Sequence, residues 1–526
     1  MKRLLTALLA LLLIFSFTPA LAIEPDTIVY PIEKDPQQMD PSLNSYSLSS
    51  QVLQQLFRGL YKLNAEREYV PAMAESHTLS GDNKTYTFKL REGLKWSDGS
   101  PLTARDFEYA WKRVLNPEVA SKAASDMWVL KNGRAYAKGE AKIEDVGVKA
   151  LDDLTLEVVT ENLCPWFLAL TATTSFFPVK QDVVEQTEPW TKNPATYVCN
   201  GPYKPVEFSS MEHIKMVKNE NYADADQVSI PNLTYVVIPD WNTELTAYNN
   251  GDVNVSDNLT PDSVAQYKDS SEFNSLGRIG IQYCDFNCEL PEFSDARVRR
   301  AFSMAIDRQA LLTALRLTYK PVFGYVPYSQ PSLTDPAKGY REVAGDMFKY
   351  DVEEAKRLMA EAGYPNGEGF PTVKILGQSD NEQKMLVQIL GEMWKTNLGI
   401  NYELQNLESS TYWDELDQGN FSVDRNAFTC DYPDPVANLT IFTTGSNAYE
   451  NRWDDAEYDA MIVAANQIVD SAEREAALIA AERYLVEQMP AMPVYSMEDT
   501  FLVKPGLTGV IKNVIGHINF EYARFE

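Results

Sequence analysis

Histidine is scarce. His77, His213 and His517 are the three in 526 residues, too scattered for a local catalytic or metal motif. No Gly-x-Ser-x-Gly elbow, His-Glu-x-x-His helix or Gly-x-x-x-x-Gly-Lys phosphate loop occurs, so nothing points to an enzyme. Acid pairs such as Asp414/Glu415 and Asp454/Asp455 carry no catalytic signal in a chain this acidic. Cysteine is nearly as rare, with Cys164, Cys199, Cys284, Cys288 and Cys430. In an oxidising compartment they allow two disulfides and one free thiol, with no pairing assignable. The spacing Cys284-x-x-x-Cys288 lacks a nearby histidine, so neither a metal site nor any other cofactor is expected. Basic residues are in deficit, 47 against 75 acidic, for a formal charge of −28. That excludes nucleic acid as a partner and leaves cationic or zwitterionic ligands open.

Long apolar runs are missing after residue 17. The one run, Leu4 to Phe17, follows Lys2-Arg3 and precedes Ala20-Leu21-Ala22, the pattern of a secretory leader cleaved after Ala22. It is too short for a comfortable bilayer span, and no cysteine stands at the cleavage point to carry a lipid. The remainder is expected to be exported and soluble, in a periplasm or its equivalent.

What is present is enough to build several cores: 44% of residues are apolar and 11% aromatic. The length suggests roughly three or four units. Thr27 to Tyr30 reads as a strand. Val52, Leu53, Leu56 and Phe57 form a helical face stopped by Gly59. Residues 66–100 alternate as β-structure, most clearly at Thr85 to Leu90. Asp98-Gly99 is a tight turn. Thr103 and Asp106 form a box-like cap for a helix with Phe107, Ala110, Trp111 and Val114 on its inner face. Val298 to Ile306, Val352 to Ala362, Lys384 to Asn397 and Glu473 to Gln488 show helical spacing, with Gly363, Gly399 and Pro490 as stops. Val373 to Leu376 is a strand among them, and such alternation favours α/β lobes. Tyr412-Trp413-Asp414-Glu415 reads as an amphipathic helix with an aromatic face. Val510 to Phe520 is expected to dock as a strand.

The stretch Arg425-Asn-Ala-Phe-Thr-Cys-Asp-Tyr-Pro-Asp-Pro435 ends an apolar strand in a carboxylate, Asp431, and turns on two prolines. A charge at the end of a buried strand requires a partner. From these residues alone it is equally a turn with a capping aspartate.

Several segments, in order, carry a resemblance. They are Leu94 to Arg113, Val146 to Val158, Asn200-Gly-Pro-Tyr203, Phe293 to Arg308 and Asp351 to Pro365. Together they resemble the extracellular solute-binding proteins of peptide ABC importers, in the large oligopeptide- and dipeptide-binding group, over essentially the whole chain after the leader. The resemblance implies a two-lobe α/β fold of the periplasmic-binding-protein type with a small additional domain. Lobe I would hold 23–50, 181–283 and 492–526, the small domain 51–180 and lobe II 284–491. It implies a monomer that closes over a short peptide and delivers it to ABC permease subunits. By the same resemblance Asp431 receives the peptide ammonium, Arg425 can pair with the ligand carboxylate, and Phe428 stands where a side-chain pocket often has a tryptophan, with Thr429 beside it as a further ligand-binding residue. Ser45, Tyr46 and Ser47 fall on a loop whose backbone faces the ligand. Leu416 and Ser409 depart from a second arginine and a pocket tryptophan found in some members. Other solutes, such as a metal chelate, an opine or an oligosaccharide, and a secreted peptide hydrolase remain as alternatives.

Overall fold

The strand expected from Thr27 runs to Ile32 in the computed structural model, which describes residues 26–66, 68–186, 189–379, 381–446 and 450–526. The leader expected over 1–22 lies outside them. The strand accommodates Pro31 because it is an edge, with Asn232–Val237 as its parallel neighbour. His213–Lys218 and then Tyr203–Ser209 continue this sheet antiparallel. A second four-stranded sheet holds Ala74–Leu79, Thr85–Leu90, Thr155–Val159 and Val148–Ala150 in that order. The Thr85–Leu90 alternation buries Tyr86, Phe88 and Leu90. Phe107, Ala110, Trp111 and Val114 of the Ala104–Leu115 helix are all buried, and Trp111 Nε1 donates to the Phe176 carbonyl at 2.9 Å. Its cap is half a box. The Asp106 carboxylate accepts the Thr103 amide at 2.7 Å and also the Thr103 hydroxyl at 3.2 Å. One apolar core runs through both sheets.

A second core surrounds a parallel sheet in which Val373–Gln378 lies between Tyr402–Leu407 and Val423–Asp424. The helices Ala296–Met304, Val352–Glu361, Asn381–Leu398 and Ser471–Gln488 contribute Phe302, Leu358, Trp394 and Leu485 to it. Gly363 follows the second of these in the left-handed region (φ +98°), where a side chain would be strained.

Two thirteen-residue antiparallel strands, Phe273–Asp285 and Ala491–Val503, join the halves. Phe501 belongs to the first core, whereas Tyr283, Met492 and Val494 belong to the second. Their register slips between Gly277 and Ile281. Gly280 there leaves no room for a side chain, since a Cβ would lie 2.6 Å from Thr429 Oγ1.

One expectation changes. The tail does not add a long strand. Gly516 (φ +93°) turns it into a hairpin of Ile511–Lys512 and Ile518–Asn519, pinned to the Ser47–Leu56 helix by Gln55 Nε2 donating to the Ile518 carbonyl at 2.7 Å. All five cysteines are free thiols, four of them buried: Cys164 and Cys199 belong to the first core, Cys284 to the second with Cys288 packed against it, and Cys430 to a small cluster with Ile279 and Ala437. Among the described residues, no helix is long and apolar enough to cross a membrane.

Candidate binding site

At Arg425 the chain changes sheets. Val423–Asp424 ends the parallel sheet, and Asn426–Thr429 then pairs with Phe273–Asp285, placing Asn426 opposite Tyr283 and Thr429 opposite Gly280. Arg425 is the corner: its amide donates to the Leu376 carbonyl at 3.2 Å and its carbonyl accepts the Tyr412 hydroxyl at 2.6 Å. The Asn426–Thr429 strand lies at the sheet's edge, and Asn426 to Thr429 line a cavity of about 1060 Å³ walled by residues from both cores. An edge strand beside such a space offers backbone groups to an extended ligand.

Of the residues singled out from sequence, Ser45, Tyr46, Ser47, Phe428, Thr429 and Asp431 line this one cavity, and Arg425 does not. Tyr46 spends its amide on Asn44 Oδ1 (3.0 Å) and its carbonyl on the Ser50 amide (2.9 Å). What it presents to the cavity is its ring and hydroxyl, which hold Lys122 (Nζ to hydroxyl, 3.3 Å). Ser47 Oγ lies 3.2 Å from His517 Nε2, and burial with the nearby charges of Arg278 and Lys512 lowers the His517 pKa to about 4, so this imidazole is neutral. Arg425 Nε is buried without a hydrogen-bond partner among the described residues, and the arginine charge acts on Asp424 behind the wall.

The strand ends at Thr429, and Cys430 and Asp431 follow it in the turn. Cys430 faces inward against Ile279 and Ala437, which accounts for a residue the sequence left unexplained. Asp431 faces the cavity. Its surface is open to solvent, yet protein surrounds it closely enough that dehydration alone raises its carboxyl pKa. Among the described residues no hydrogen bond or ion pair reaches this carboxylate.

The structure adds groups that no motif announced. Tyr432 stacks on Trp166 across the cavity, with centroids 5.1 Å apart and planes 6° apart, and the Arg474 guanidinium lies 5.3 Å from the Trp166 ring centre. Arg474 in turn grips Asp434 with two hydrogen bonds, 2.7 and 2.9 Å. This column touches both cores one residue from Asp431. The Tyr412–Trp413 pair divides as an amphipathic helix should: Tyr412 is buried, while Trp413 is 42% exposed and faces the cavity. Asp126, Lys122, Arg278 and Glu450 also line it. Behind the wall, Asp285 and Asp424 are buried together, the Asp285 amide donating to Asp424 Oδ1 at 2.9 Å. Burial holds both carboxyls above their usual range, with repulsion from Asp424 and Glu450 adding at Asp285 and from Glu450 at Asp424.

Comparison with known proteins bears on this geometry. Residues 68–450 match the model of the bacterial extracellular solute-binding proteins, family 5. A dipeptide-binding protein, DppE of Bacillus subtilis (strain 168), is 31% identical over 496 residues, covering 93% of this chain and 90% of its own. The unliganded open form of the periplasmic murein tripeptide-binding protein MppA superposes with a TM-score of 0.80 at 30% identity, over 96% of this chain and 98% of that one. Haemophilus influenzae OppA in complex with the peptide RPPGFSPFR superposes with a TM-score of 0.76 at 27% identity, over 95% and 99%.

Proposed function

The chain belongs to the bacterial extracellular solute-binding proteins of family 5, and from that membership we propose that it receives short peptides in the cavity and delivers them to an ABC importer. The observation that carries this reading is an edge strand, Asn426–Thr429, ending beside a cavity-facing carboxylate with no partner among the described residues. Main-chain pairing along the edge would hold peptides of varied sequence, and Asp431 would take the α-ammonium. Phe428, Thr429, Ser45, Tyr46 and Ser47 would contact the ligand, with Arg425 serving from behind as counter-charge to Asp424. Closure would turn on the slipped register of the two long strands, and the Trp166–Tyr432 stack would close with it. The lobes and small domain would divide as the resemblance implies. The leader would be removed after Ala22, and the mature monomer would work in the periplasm with the permease subunits as its partners, without catalysis of its own.

Short peptides should raise the thermal midpoint, by linkage worth about 2.7 kcal/mol at a hundredfold excess over Kd. The absence of any shift with a mixed peptide library at millimolar concentration would count against a peptide receptor.

Binding should also follow pH in a bell. Without ligand the Asp431 carboxyl has a raised pKa, and an arriving ammonium favours its ionised form. Below that raised pKa the proton must leave before the ion pair forms, so affinity falls as pH drops. On the alkaline side affinity falls as the peptide amine loses its proton, near about 7.7–8.0. Calorimetric titrations at stepped pH check this: Asp431→Asn should flatten the acid limb, and an unchanged limb would remove Asp431 from the site.

A further inference from the structure

The cavity is rich in acceptors and short of free cations. Its acidic lining residues are Asp126, Glu161, Asp431 and Glu450, and its bases are Lys122 and Arg278. Arg278 lies 3.6 Å from Asp499, and Lys122 is held over the Tyr46 ring, so both bases already have partners. The acids are less well served. Asp431 has no partner among the described residues, and Asp126 has the Ser175 hydroxyl to offset its burial. Glu450 Oε2 and Asn466 Oδ1 are fully buried atoms of cavity-lining residues, and neither has a donor among the described residues. Buried acceptors left without donors are costly, and a ligand that brings donors removes that cost.

Asp126 and Asp431 come from opposite walls. Asp126 lies in the Ala124–Val129 turn, whose Met127 belongs to the first core; Asp431 follows the strand that pairs within the second half. They are close enough that the Asp431 charge helps to raise the Asp126 pKa, to about 6 with burial as the larger cause. At neutral pH Asp126 is therefore mostly ionised, and an ionised Asp431 repels it across the space. A peptide with one ammonium neutralises one of them.

Resting on the peptide-receptor reading, we propose that Asp126 is a specificity residue that pairs with a second positive charge at the ligand's amino end, so the cavity selects peptides whose first residue is lysine, arginine or ornithine. A cationic first side chain supplies donors to the wall opposite the α-ammonium and places positive charge between two like-charged carboxylates. An acidic first residue would add a third negative charge there.

The test is calorimetric titration of Lys-Ala-Ala, Ala-Ala-Ala and Glu-Ala-Ala at pH 7.4 and fixed low salt, with the native chain, Asp126→Asn and Asp126→Glu. In the native chain Lys-Ala-Ala should bind about tenfold more tightly than Ala-Ala-Ala, with Glu-Ala-Ala weakest. Asp126→Asn should reduce the Lys-to-Ala ratio to about threefold or less, and Asp126→Glu, which keeps the charge, should preserve it. Equal binding of all three peptides by the native chain, or a ratio that Asp126→Asn leaves unchanged, would overturn the role of Asp126 and leave the peptide reading intact. Binding of none of the three would overturn both.

Discussion

Asp431→Asn is expected to weaken peptide binding by about 2–5 kcal/mol, or about 30-fold to about 5,000-fold in Kd, while leaving the ligand-free fold as stable as before or slightly more so. The two halves of that expectation have one cause. In the free protein the carboxylate has no partner among the described residues to lose, and its pKa is raised by dehydration, so its charge works against the folded state. With a peptide bound, the amide cannot balance the ammonium, and a dehydrated cation is left uncompensated. Titration calorimetry and thermal unfolding of the same preparation separate the effects. Lost affinity with an unchanged midpoint fits a ligand-facing carboxylate. A fallen midpoint with unchanged affinity would make Asp431 a turn-capping residue.

Glu521→Ala should cost about 3–5 kcal/mol of stability, the loss typical of breaking a buried ion pair. Glu521 is fully buried and accepts from Arg58 Nη2 at 2.7 Å, Lys62 Nζ at 2.6 Å and the Tyr222 hydroxyl at 2.8 Å. Its removal strands the Arg58 guanidinium, whereas Lys62 keeps Asp224 at 2.6 Å. Burial acts to raise the Glu521 carboxyl pKa, but the two cations hold it below the usual value. The sign follows from that depression. The contribution is full above the unfolded pKa, about 4.3, and is lost as pH falls through the lower folded value. Urea denaturation at pH 7 should show the full deficit, and the gap between the two chains should narrow in acid. A deficit under about 1 kcal/mol at pH 7 would mean that the neighbouring groups re-pair. The tail hairpin this glutamate anchors carries Ile515 and His517 into the cavity wall, so ligand affinity should fall with stability.

The legible parts of this molecule were those governed by near neighbours. The Thr103–Asp106 cap, the Thr85–Leu90 alternation and the Val352–Glu361 helix ending before Gly363 each depend on residues within a few positions of one another. The tail was misjudged because Gly516 looks like any glycine until its backbone is seen turning a two-residue hairpin. The paired wall of Asp126 and the stack of Trp166 on Tyr432 had no local signature, since the partners lie far apart in the chain.

The amino-acid order by itself determined the α/β class, the lack of catalytic and metal motifs, and Asp431 as either a turn cap or a charge needing a partner, a choice that the family resemblance made. Each follows from composition, periodicity or a local turn. Only the tertiary structure decided which way that charge points. Beyond the end of the Asn426–Thr429 strand Cys430 packs against Ile279 and Ala437 and Asp431 lines the cavity, the change of sheets at Arg425 leaves that residue off the lining, and Glu521 meets Arg58 across 463 positions. A side chain's partner depends on what the whole chain brings beside it, and burial then sets whether that meeting is costly or stabilising.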